Sequence, residues 1–120
     1  MSLRDVLDRL RGRTPDDGAL PATVDGPRAV ALVRDGAQLL DVRERAEWRT
    51  GHVPQAVHVP LGDVADAPRR LTADTPVVVM CASGMRSRTA AEQLRAAGIA
   101  ATSLSGGIGA WQAAGGAVRR

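Results

Sequence analysis

Apolar positions along this chain alternate between helical spacing and short continuous runs. At residues 2–11, Leu3, Val6, Leu7 and Leu10 share one helical stripe, with Ser2 as a candidate N-cap and Arg4, Asp5, Asp8 and Arg9 on the polar side. Gly12 to Pro21, containing Thr14-Pro15-Asp16-Asp17-Gly18, reads as a turn-rich linker. Ala22 to Val24 predicts a short edge strand. Asp25 and Gly26 are cap candidates before Pro27, a favoured first helical residue, and Ala29, Val30, Leu32 and Val33 continue a helix ending by Gly36. Gln38 to Val42 predicts an apolar strand, Glu44 to Thr50 a short helix, Gly51-His52-Val53-Pro54 a turn, and the segment around His58 another strand. Leu61 to Ala67 predicts a brief helix before a turn at Pro68-Arg69-Arg70. Val77-Val78-Val79-Met80, led by Pro76, predicts a buried strand, central in a parallel sheet. Ala90 to Ala97, stopping at Gly98, predicts a helix. Ala101 to Leu104 supplies a last strand, and Ser105-Gly106-Gly107 turns into a helix with Ile108 and Trp111. Strands alternating with helices make the expected fold α/β with a mainly parallel sheet.

The chemistry gathers behind the valine run. Cys81 follows Met80 directly, and Ala82-Ser83-Gly84-Met85-Arg86 is a short loop of small residues before Ser87 and Thr89 lead into the helix. The cysteine therefore stands where a strand ends and where a helix's unpaired N–H groups point back at it. A free thiol titrates near ~8.5. A helix N-terminus is worth up to about 2 kcal/mol in partly buried settings, and Arg86 folds around the same loop. Together they predict a largely ionised, nucleophilic Cys81, and the loop's N–H groups would hold an anion lying on its sulfur. A lone cysteine is otherwise often a small buried hydrophobe; its position after the strand rather than within it turns the reading towards function. Asp41 and Arg43 come at the end of the Gln38–Val42 strand, at the sheet edge where ligands gather, and are expected near the Cys81 loop. Arg43 has a second reading, as an ion-pair partner of Asp41 or Glu47. His52 and His58 read as hydrogen-bonded structural histidines and Trp48 as a packing residue.

Composition narrows the classes. With 120 residues the chain suits one domain, and with two Trp and no Phe or Tyr its core is aliphatic. The net charge is +3, and the cations, all arginine, are scattered without aromatic interleaving, so no nucleic-acid partner is expected. A single cysteine excludes an internal disulfide and a cysteine-cluster metal site, and it fits a reducing compartment. No metal site and no cofactor are expected. Neither a signal peptide nor a run able to span a bilayer is visible, so a cytoplasmic protein with no membrane partner is expected.

The Cys81 loop resembles the active-site loop of the rhodanese (sulfurtransferase) family. Leu39-Leu40-Asp41-Val42-Arg43-Glu44 is similar to that family's first signature, and Glu47-Trp48, Gly51-His52-Val53-Pro54 and Ala56-Val57-His58-Val59-Pro60 to its second. Gly106-Gly107 followed by Trp111 is similar to its last. Gln55 replaces a usual glycine and His58 a usual asparagine. The resemblance covers residues 21–118, making 1–20 an N-terminal helix and linker. It implies a five-stranded sheet with helices on both faces, Cys81 as catalytic nucleophile, and Ala82, Ser83, Gly84, Met85, Arg86, Ser87, Asp41 and Arg43 around the substrate. It also implies that Asp41 lies beside the loop and that Arg43 is commonly structural. The expected reaction carries sulfane sulfur from a small donor, thiosulfate or a related persulfide, to cyanide or a thiol, through a Cys81 persulfide. A protein could also accept the sulfur.

Two other classes stand against this. A phosphatase or arsenate reductase would have a loop one residue longer with arginine six positions after the cysteine, where this chain has Ser87. A regulatory, partner-binding or sulfur-carrier module is the non-enzymatic alternative; inactive members typically lack the cysteine.

Overall fold

The computed structural model describes residues 20–120. The helix expected at 2–11, and the linker up to residue 19, lie outside the described residues. Five strands, β1 (Thr23–Val24), β2 (Gln38–Asp41), β3 (Val57–His58), β4 (Val77–Met80) and β5 (Ala101–Leu104), form one sheet in the order β1-β5-β4-β2-β3. Every pairing is parallel, with Leu40 opposite Val79 and Val79 opposite Ser103. Four α-helices, α1 (Gly26–Arg34), α2 (Arg45–Thr50), α3 (Met85–Ala96) and α4 (Gly107–Ala113), and a 3-10 helix (Leu61–Arg69) make the connections.

The valine run is central because it is apolar on both sides. All four residues of β4 are buried, and each such side chain contributes about 1.5–3 kcal/mol of hydrophobic stabilisation. Alternation along the strands divides the core. Leu40, Val77, Val79 and Cys81 meet Val64 and Ala67 of the 3-10 helix and Ala90, Ala91 and Leu94 of α3. Leu39, Val78, Met80 and Leu104 meet Ala29 and Leu32 of α1 and Trp111 of α4. Helices thus cover both faces, as parallel strands require.

Local chemistry sets the element ends. Asp25 caps α1 by accepting the Arg28 N–H at 2.9 Å, and Pro27 sits in its first turn. The 3-10 helix runs two residues beyond the expected Ala67, through Pro68 and Arg69. The largest boundary correction concerns α3, which begins at Met85 instead of near Ala90. Gly84, at φ 109°, supplies the left-handed turn that lets the helix start at once. Arg86 and Ser87 therefore belong to its first turn, and Cys81 to Gly84 alone make the connection.

Candidate functional site

Cys81 lies at the carboxyl end of the central strand and under the N-terminus of α3. Its side chain is 0 % exposed. The Gly84 N–H donates to its Sγ at 3.0 Å, and the Ser87 Oγ lies 3.5 Å from it. Burial pushes the thiol up. The Ser87 hydroxyl and the N–H groups of Ser87, Gly84 and Ser83 outweigh that, and the thiol titrates below its ordinary value.

Around the sulfur, Gly84 and Ser87 are buried, Ala82, Ser83 and Met85 are exposed, and Arg86 is half-buried. Met85, 77 % exposed, is the large apolar side chain on this rim. Two carbonyls of the connection are held against α4. That of Cys81 accepts the Ile108 N–H at 3.0 Å, and that of Ala82 lies against Gly107, where any Cβ would collide with it. The Gly84 N–H faces the sulfur, as an anion cradle needs.

Arg86 is engaged. Its guanidinium makes a two-pronged pair with Glu47 of α2, at 2.6 and 2.9 Å. Hydrogen bonding from Arg86 dominates over desolvation and holds the Glu47 carboxyl at about 2; the Glu44 N–H, donating at 2.9 Å, adds to it. In turn Glu47, more than Cys81, favours the charged guanidinium. The expectation that Arg86 helps ionise the thiol thus meets a cation already shared with a carboxylate, and the hydrogen bonds around the sulfur do that work.

Asp41 and Arg43 turn inward. Arg43 donates through Nε and Nη2 to Asp41 at 2.8–3.0 Å, and Nη2 also donates to the Gly51 carbonyl at 2.8 Å. They are 0 % and 4 % exposed. Of the two readings of Arg43, the structure shows the pair with Asp41. That pair stands beside the site, since Asp41 registers against Met80 and the Val42 N–H bonds its carbonyl at 3.0 Å, but it offers no free group to a ligand. His52 and His58 are half-buried and hydrogen-bonded, to the carbonyls of Trp48 (2.9 Å) and Arg43 (2.7 Å), and both stack on the Trp48 indole. Two participants escaped sequence reasoning. Glu47, as the partner of Arg86, lies 39 residues away from it. Ser103 carried a signal: a hydroxyl on the same face of a buried strand as Ala101.

Comparison with known proteins agrees with the geometry. The rhodanese-like domain family matches residues 28–114. A putative sulfurtransferase, YtwF, of Bacillus subtilis is 39% identical over 74 residues, spanning 62% of this chain and 72% of that protein. The thiosulfate sulfurtransferase GlpE of Pseudomonas savastanoi pv. phaseolicola is 36% identical over 87 residues, 72% of this chain and 82% of its own. Among solved structures, the rhodanese-like domain of the Anabaena protein Alr3790 superposes with a TM-score of 0.72 at 28% identity, covering 83% of this chain and 80% of that one.

Proposed function

Because this chain belongs to the rhodanese-like domain family, we propose that it is a sulfurtransferase that moves sulfane sulfur through a persulfide on Cys81. One observation carries the reading: the sole thiol of the chain sits at a helix N-terminus, accepts an N–H bond from Gly84, and titrates below its ordinary value. The thiolate is the nucleophilic form of a cysteine, and these contacts favour it.

With thiosulfate as donor, the Cys81 thiolate attacks the outer sulfur. The new S–S bond forms as the old one breaks, and sulfite leaves with the electron pair. Negative charge moves one atom outward, onto the terminal sulfur of the persulfide, where the N–H groups of the Ala82–Ser87 segment hold it. An acceptor, cyanide or a thiolate, then takes that sulfur and regenerates the Cys81 thiolate. No proton needs to be removed in either step, which suits a site where both histidines are engaged with backbone carbonyls. Arg86 draws the anionic part of the donor, and Ser83 and Met85 line its approach. Asp41 and Arg43 act through the backbone they fix. A thiol-bearing small molecule or a protein thiol serves as acceptor, and a location in a reducing compartment follows from the need for a free thiol.

Intact-mass measurement after incubation with thiosulfate tests this. One added sulfur atom, removed by cyanide as thiocyanate and absent in Cys81→Ser, is the expected result. Sulfur loading that survives Cys81→Ser would refute it, because no other thiol exists to take over.

A further inference from the structure

Ser103 is the third of the four residues of β5, on the α3 side of the sheet, and it is 0 % exposed. A buried hydroxyl on a strand needs a partner. Its Oγ lies 2.7 Å from the Oγ of Ser87, equally buried, and the Ser87 Oγ lies 3.1 Å from the Gly84 carbonyl and 3.5 Å from the Cys81 sulfur. Three acceptors therefore compete for the one proton of Ser87. With a neutral thiol, the Cys81 S–H points to Ser87 Oγ and the Ser87 proton goes to the Gly84 carbonyl. With a thiolate, the Ser87 O–H must turn to the sulfur. Its own oxygen then lacks a donor unless Ser103 supplies one. The Gly84 carbonyl, released in that turn, keeps the Arg88 N–H at 3.3 Å. The network is complete in both states only because Ser103 is present.

We propose that Ser103 is a positioning residue for the sulfur-transfer reaction: its hydroxyl donates to Ser87 and so holds the Ser87 proton on the anionic sulfur. This rests on the sulfurtransferase reading but is tested on the thiol itself. Arg86 is the charge coupled to the Cys81 sulfur, and it is the same in every variant compared below. Arg86 on α3 is paired with Glu47 of α2, and Arg43 with Asp41 at the end of β2. Asp63, Asp66 and Arg69 of the 3-10 helix are exposed, and β5 and α4 carry no charged side chain.

Threonine and valine at 103 have the same shape and differ in the hydroxyl, so the pair isolates the donor from packing. The rate of alkylation by iodoacetamide against pH reports the only cysteine directly, with no substrate. Ser103→Thr is expected to keep the midpoint of the natural protein, whereas Ser103→Val raises it by about half to one pH unit, the worth of one net hydrogen bond. In a Ser87→Ala background the Thr and Val variants are expected to coincide. Equal midpoints for Thr and Val with Ser87 in place would overturn the proposal, as would an undiminished Thr–Val difference without Ser87. Ser103→Ala is a second probe: a raised midpoint supports the relay, and an unchanged one counts against it. Failure of sulfur loading from thiosulfate, with these midpoints as expected, would remove the sulfurtransferase reading and leave the relay standing.

Discussion

Arg86 binds Glu47 with the same two-pronged geometry it would offer a sulfonate. A charged donor must therefore displace a carboxylate, while a less charged persulfide need not. Glu47→Gln keeps an oxygen for the Glu44 N–H and removes the competing charge. It is expected to raise kcat/KM for thiosulfate by about two- to fivefold, the worth of an exposed ion pair, and to leave an alkyl persulfide donor unaffected. Arg86→Ala should instead depress thiosulfate turnover by about 10- to 100-fold and spare the persulfide. Acid sensitivity has a definite sign. Glu47 is held down from 4.5 to about 2, so its pairing adds stability above pH 4.5 and loses it as pH falls towards about 2. For a pair this exposed the contribution is at most about 1 kcal/mol, and urea melts of the natural protein and Glu47→Gln should converge at the acid end. At this scale the placement of the cysteine between strand and helix, and the order of its loop, were legible in the sequence, because the valine run ends at Met80 and small residues follow. The partner of Arg86 was not, because nothing local links positions 47 and 86.

The connection between β4 and α3 owes its shape to a contact from another element. Gly107, at φ 63°, opens α4 and lies against the Ala82 carbonyl, and the next residue's N–H holds the Cys81 carbonyl. Gly107→Ala adds a Cβ that collides with that backbone in a conformation L side chains rarely adopt. We expect a loss of about 1–3 kcal/mol in urea melts and, in the fraction that folds, a fall in the rate of sulfur loading of about 100-fold, because the N–H groups shift from the sulfur. Sequence reading placed the glycine pair in the turn that opens α4. It began α3 five residues late, since Met85 to Thr89 carry no apolar period, and the helix is started by the turn at Gly84 and the cap of α4.

In the whole molecule, the strand order joins the two ends of the described chain. Thr23 registers against Ser103, so β1 closes the sheet on the strand that carries the Ser87 partner. Pairing of Thr23 with Ser103, 80 positions on, gives many non-local contacts and predicts folding in the millisecond-to-second range by stopped-flow. The buried Asp41–Arg43 pair ties the end of β2 to α2 and to Gly51. Arg43→Ala strands a carboxylate in the core, and a loss of about 3–5 kcal/mol in urea melts is expected. Parallel architecture was readable from alternating strand and helix patterns, and five strands from the family resemblance. The sequence of pairings across the sheet was not, because the two short edge strands have two residues each and no periodicity to align them.

The cover over Cys81 also bears on how long one copy of the protein stays in service. Peroxides attack sulfur in proportion to thiolate character and to exposure, and beyond the sulfenic stage the damage is one-way. A chain with a single cysteine has no second thiol to trap that stage as an internal disulfide. Here the two risk factors are separated: the thiol titrates below its ordinary value and yet is 0 % exposed. Burial limits its contact with oxidants, and a persulfide, itself a reversible cap, spares the cysteine between turnovers.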